Sequence, residues 1–214
     1  LDCLIADSEN EASWETLFKS LKERGLHGVD LVVSDNHTGL VNAIKRHFQG
    51  SRWQRCQTHF MRNILGHAPR HQRGNIANQL KLIFQASDMT TAKKLADEFI
   101  EQYSSKAQKA VAIFEDGFEQ ALTVLVFPER YRQKLRTTNL PERMNEEIRR
   151  RQRVIRIFPN DDAAMRLIGA LLADQYETWK NQNRYLDMQE YQDWKNEFTK
   201  EEEKNTNNIV TIGK

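Results

Sequence analysis

The segment Val29-Asp30-Leu31-Val32-Val33-Ser34-Asp35-Asn36-His37-Thr38-Gly39-Leu40 decides the fold. Leu31, Val32 and Val33 are contiguous and apolar, the pattern of a strand buried on both faces. Asp35 stands where that strand ends. Leu40, Ile44 and Phe48 then recur at four-residue steps and predict a helix over 39–48. Upstream, Cys3 to Ala6 is a short apolar run expected to form another strand. Ser8-Glu9-Asn10-Glu11 matches a capping box, and Trp14, Leu17, Phe18 and Leu21 follow at helical spacing until Gly25. Downstream, Arg52 to His59, with Trp53 and Cys56, is a weaker third strand. Strands alternating with helices in this way predict an α/β core.

From about Phe60 to Arg136 the strand signals stop. Apolar positions recur at helical spacing: Ile76, Leu80 and Ile83, then Ala92, Leu95, Ala96 and Phe99, then Val111, Phe114, Phe118 and Leu122. This block is expected to be an all-helical insertion into the core. Asn139 reads as the cap of a new helix, with Pro141 in its first turn and Glu142 three positions on. Phe158-Pro159-Asn160 breaks the chain, and Leu167, Ile168, Leu171, Leu172, Tyr176 and Trp179 mark a further long helix. The domain expectation is therefore a core of 1–60 and 137–186, a helical insertion of 61–136, and a tail of 187–214. The tail is rich in Glu, Lys, Asn and Thr from about Lys200 and is expected to be partly disordered.

The net charge of +2 over 214 residues conceals a segregation. Between Asp35 and Asp88 there is no acidic residue. Lys45, Arg46, Arg52, Arg55, Arg62, Arg70, Arg73 and Lys81 all fall there, with five of the six histidines. A second basic cluster runs from Arg130 to Arg156, while the acidic excess lies mainly in 187–203. Segregated positive charge points to a polyanion, because each neutralised phosphate releases counterions. Two cysteines, Cys3 and Cys56, are too few for a disulfide framework and fit a reducing compartment. No window is apolar enough for a membrane span, and a cytoplasmic protein is expected. The chain opens on Leu1 within strand-like sequence, so it is read as a fragment.

Taken by themselves, the chemistry-bearing residues have two readings each. Asp35 at the end of a buried strand is where α/β folds place reactive groups, but before a helix it also suits a turn or cap. Glu142 suits a capping box with Asn139, and Glu146 and Glu147 suit ion pairs with Arg150 and Arg151. Trp53 suits either the core or stacking on an extruded base. Cys56-Gln57-Thr58-His59, followed by His67 and His71, offers four zinc-ligand types at a permissive spacing, and equally a packing element.

Four ordered stretches change that balance: Val-Val-Ser-Asp-Asn-His-Thr-Gly-Leu at 32–40, Trp-Gln-Arg-Cys-Gln-Thr-His-Phe at 53–60, Thr-Thr-Asn-Leu-Pro-Glu-Arg-Met-Asn-Glu-Glu-Ile-Arg-Arg-Arg at 137–151 and Ile-Phe-Pro-Asn at 157–160. With Leu-Lys-x-Arg-Gly-Leu at 21–26, they make the chain resemble the transposases of bacterial mutator-type insertion sequences from Asp7 through about Tyr185. The resemblance implies a ribonuclease-H-like core, here partial because its N-terminal strands lie upstream, carrying a large all-helical insertion. It implies an Asp-Asp-Glu triad that binds Mg2+ or Mn2+, with Asp35 as the second aspartate and Glu142 as the glutamate. The first aspartate is expected upstream of Leu1. Asp7 is not expected to replace it, so the fragment alone is expected to be nearly inactive. The implied activity is metal-dependent strand cleavage and strand transfer at the ends of a mobile element. The implied partner is double-stranded DNA, bound by a homo-oligomer at the nucleoid. Arg143, Arg149, Arg150, Arg151, Arg153, Arg55 and Trp53 are the expected DNA contacts, and Cys56 and His59 are structural or zinc-binding. Two further readings remain, a catalytically inactive remnant that only binds DNA and a zinc-dependent nucleic-acid-binding module.

Overall fold

The computed structural model of the protein describes residues 2–155, 157–181 and 186–211, with side chains up to Lys200. The chain divides into two compact units, 1–172 and 173–214. The first holds both strands. β1 (Leu31–Ser34) and β2 (Arg52–Arg55) pair in parallel, with Leu31 opposite Arg52 and Ser34 opposite Arg55. The connection between them is α2 (Thr38–His47), as a parallel pair requires. α1 (Glu11–Glu23) packs on α2. Asn10 caps α1, its side chain accepting from Ser13 N at 3.0 Å, two positions later than the Ser8 reading. Past the C-terminus Gly25 takes φ +98°, and Leu26 N returns to Leu21 O at 2.9 Å. This is a left-handed helix stop of the kind glycine permits. Phe18, Leu40, Ala43, Ile44 and Phe48 form a small core here, with Trp14, Val32 and Trp53 against it.

The expected strand at 3–6 does not form. Leu4 and Ile5 are exposed, and among the described residues the only paired strands are β1 and β2. A strand without a pairing partner leaves its backbone groups to water. The third strand is also shorter than expected. It ends at Arg55, and Cys56 becomes the N-terminal boundary of α3 (Gln57–His67). The α/β reading of the core stands on this smaller sheet.

The helices α3, α4 (Arg73–Phe84), α5 (Met89–Tyr103), α6 (Gln108–Ala121) and α7 (Glu129–Leu135) follow. Of these, α3 to α6 enclose a separate and larger core built on Phe60, Ile64, Ile76, Leu80, Phe99 and Phe114. Phe99 and Phe114 have ring centroids 4.8 Å apart. The two cores are joined by buried polar side chains of β2 and α3. Gln54 Nε2 donates to Ala121 O at 2.7 Å and to Arg55 O at 2.8 Å, while Val124 N donates to Gln54 Oε1 at 2.7 Å. Gln57 Nε2 also donates to Ala121 O. The helical block is thereby fixed to the strand that carries the site.

α8 (Asn139–Ile155) and α9 (Asp161–Lys180) come next, α9 running across the boundary between the units. In the second unit α10 (Met188–Thr211) takes in most of the expected tail, whose last residues, 212–214, lie outside the described residues. Tyr191, Trp194 and Phe198 lie three and four positions apart, so their rings meet along one face. Among the described residues no helix is long and apolar enough to cross a membrane.

Candidate carboxylate site

Asp35 directly follows β1, so its position is set by the sheet. Ser34 just before it is buried, donates to Asp35 O at 2.8 Å and accepts the Trp53 indole N–H at 2.9 Å. Trp53 therefore stands half-buried on β2 with its polar atom satisfied by the residue next to Asp35. It packs against the small core. One carboxylate oxygen of Asp35, Oδ1, is buried and has no hydrogen-bond partner.

Glu142 arrives from the far end of the helical block. Two backbone bonds bring it in: Cys56 N donates to Ser34 O at 2.7 Å, and Gln57 N donates to Arg136 O at 3.0 Å. The first turn of α3 is thus tied both to the end of β1 and to the segment entering α8. Thr138, not Asn139, occupies the cap position, since Glu142 N donates to Thr138 O at 3.1 Å. The capping-box role expected for Glu142 is therefore displaced by one residue. Instead of reaching back to a backbone amide, its Oε1 accepts the Thr138 hydroxyl at 2.7 Å. His59 Nε2 stands 3.5 Å from the same oxygen.

Asp35, His59, Thr138 and Glu142 line one cleft of about 680 Å³. Arg62 of α3 and Arg149 of α8 supply its positive charge, and Glu146, one turn after Glu142, faces it too. Arg149 is among the arginines that the basic clustering singles out. Arg62 was visible only as one cation of the acid-free stretch, and Thr138 carried no charge to attract notice.

The other basic residues divide. Glu147 accepts from Arg150 at 2.8 Å and from Arg151 at 3.0 Å. These hydrogen bonds, with the charges behind them, hold the Glu147 carboxyl down at about 2. Arg143, Arg149 and Arg153 are exposed and make no such pair among the described residues. Arg55, an expected DNA contact, is buried in this structure. It is 5 % exposed, its guanidinium lies 4.4 Å over the Phe60 ring, and its nearest carboxylate is Asp116 at 3.8 Å. Burial pushes its pKa down, and the Asp116 charge opposes that shift. Gly117 makes the space, because a Cβ there would sit 2.2 Å from Arg55 Nη1.

Cys56 is fully buried. Thr138 N donates to its Sγ at 3.4 Å, and the Thr138 hydroxyl lies 3.3 Å away. Of the four zinc-ligand types read in the sequence, Cys56 and His59 meet, and Glu142 joins them: one ligand atom from each lies within 4.8 Å of the others. His67 and His71 stand outside that group, His67 Nδ1 being 2.9 Å from Asn63 O.

Comparison with known proteins gives the family of the chain. Residues 1–182 match the family model described as Transposase, Mutator family. The chain is 43 % identical over 178 residues to the transposase for insertion sequence element IS256 in transposon Tn4001 of Staphylococcus aureus, covering 82 % of this chain and 45 % of the relative. It is 38 % identical over 191 residues to the transposase for insertion sequence element ISRM5 of Rhizobium meliloti (strain 1021), covering 89 % and 48 %. With the transposase for insertion sequence element IS1081 of Mycobacterium tuberculosis, identity is 31 % over 185 residues, covering 86 % and 45 %. The chain spans about half the length of the curated relatives it matches. It belongs to the Mutator family of transposases.

Proposed function

We propose that this chain is the part of a transposase catalytic domain that contributes two metal-binding carboxylates, Asp35 and Glu142, to cleavage and joining of double-stranded DNA at the ends of a mobile element. The observation that carries this reading is the convergence of the two residues on one cleft, with Asp35 Oδ1 buried and unpaired. A buried carboxylate oxygen without a hydrogen bond is costly unless a cation compensates it. The donors are hard oxygens, which suit Mg2+ or Mn2+. The parallel β1–α2–β2 unit with helices inserted before α8 supports a partial ribonuclease-H-like core.

Asp35 and Glu142 would hold a divalent ion, which when bound would supply charge neutralisation at the phosphate and a more acidic water. The chain's own part is positional. β1 and the Trp53–Ser34 bond fix Asp35, and Thr138 orients Glu142. Arg62 and Arg149 line the cleft where DNA phosphates enter. Arg143 and Arg153 extend the positive surface along the exposed side of α8, where contacts to phosphate set register without reading sequence.

The test is strand cleavage and joining by the full-length protein carrying Asp35→Asn or Glu142→Gln. Each substitution removes a negative ligand while keeping the side-chain shape, and each is expected to reduce activity by at least about 100-fold. Unchanged activity in either variant overturns the assignment.

A further inference from the structure

We propose that Cys56, His59 and Glu142 form a second metal site, selective for a thiophilic divalent cation such as Zn2+, which shares Glu142 with the carboxylate site. Three atoms of different chemistry converge here: a buried thiol, an imidazole and a carboxylate within 4.8 Å of one another. His59 Nε2 and Glu142 Oε1 are 3.5 Å apart. That is long for a hydrogen bond. It is close to the edge of a tetrahedron with bonds of about 2.0 to 2.1 Å, which is about 3.3 to 3.4 Å. His59 Nδ1 is buried with no partner, so no hydrogen bond from the protein holds the ring at that nitrogen.

The surroundings suit a bound thiolate. Thr138 N donates toward Cys56 Sγ at 3.4 Å, and this donor remains when the thiol releases its proton to solvent on metal binding. Glu142 in turn is held by the Thr138 hydroxyl. Three protein ligands leave the fourth tetrahedral position open to water or a phosphate oxygen, since the cleft reaches His59 and Glu142. Sulfur and imidazole discriminate against Mg2+, which prefers oxygen donors. The consequence, which rests on the proposed transposase chemistry, is competition. Zinc on Cys56 and His59 takes Glu142 away from a metal shared with Asp35, so zinc restrains the reaction that magnesium supports.

Equilibrium dialysis of the purified protein against Zn2+, and Co2+ absorption spectroscopy, test the site without any measurement of activity. The expected result is about one zinc per chain, and a thiolate-to-cobalt charge-transfer band in the near ultraviolet. Cys56→Ser abolishes that band, and His59→Ala weakens zinc binding by at least about tenfold. Asp35→Asn keeps its zinc, because Asp35 is outside this group, so the site is scored separately from the magnesium-dependent function. A wild-type protein without a cobalt–thiolate band overturns the proposal, whether or not Cys56→Ser folds. Zinc binding unaffected by His59→Ala overturns it as well.

Discussion

Glu142 Oε1 accepts the Thr138 hydroxyl at 2.7 Å, so the residue that caps α8 also aims the carboxylate four positions later. A hydrogen bond to a charged acceptor contributes about 1.5 to 3 kcal/mol when well formed, and less when solvent reaches it, as it does here. Thr138→Val keeps the side-chain volume and removes the donor. It is expected to lower strand-cleavage activity about tenfold, and Thr138→Ser is expected to restore most of it. Cleavage rates with each variant, alongside circular dichroism to confirm folding, check this. Equal loss in the serine and valine variants would assign the effect to packing against Cys56 instead.

The arginines of α8 are not equivalent. Arg149 faces the cleft, whereas Arg150 and Arg151 are engaged by Glu147. Binding to a DNA duplex, followed as a function of salt, is therefore expected to lose about one unit of salt slope for Arg149→Gln or Arg62→Gln, and less for Arg150→Gln. Glu147→Gln removes a negative charge and releases two cations, so it is expected to tighten binding. The pair also has a pH signature. The Glu147 carboxyl is held at about 2 against an ordinary 4.5, so its contribution is complete above about 4.5 and disappears as pH falls toward 2. Acid titration of thermal stability is expected to be flatter in the Glu147→Gln variant across that window.

Gln54 is fully buried and bridges β2 to the helical block through Ala121 O and Val124 N. Replacement by leucine retains bulk but leaves Val124 N without its acceptor. A destabilisation of about 1 to 3 kcal/mol is expected from that orphaned amide. Gln57→Leu is expected to cost less, because Ala121 O keeps Gln54 as a donor. Denaturant midpoints of the two variants order them.

The same glutamine explains what a reader of the sequence can and cannot see. β1 was legible because Leu31, Val32 and Val33 are contiguous, and α4 to α6 because their apolar periods are regular. β2 was faint since Gln54 sits where an apolar residue is expected, and its partners lie in Ala121 and Val124, far along the chain. The burial of Arg55 is not legible either, because a charge census is blind to burial. Only Gly117, more than sixty positions later, makes room for it. The local sequence offered a turn at Asp35 and a cap at Glu142, and their pairing came from the resemblance. The cleft that both line depends on backbone bonds from Cys56 to Ser34 and from Gln57 to Arg136, which no local pattern encodes.

Gly39 tests how tightly the small unit around the site is built. It lies in the first turn of α2, and a Cβ added there would come within 2.7 Å of Glu11 N and 3.1 Å of the Asn10 carbonyl carbon. Both are backbone atoms at the start of α1, so neither can swing aside as a side-chain tip would. Gly39→Ala must separate α1 from α2, opening the core around Phe18, Leu40 and Ile44, at a cost of about 1 to 3 kcal/mol. Gly66 in α3 is the control, since a Cβ there meets nothing within 4 Å. Gly66→Ala removes backbone freedom from the unfolded chain and is expected to raise stability by about 0.4 to 1 kcal/mol. Urea denaturation of both variants gives the comparison. A neutral Gly39→Ala would mean that α1 shifts on α2 without disturbing the sheet, and the position of Asp35, set by β1, would then not depend on the α1–α2 packing.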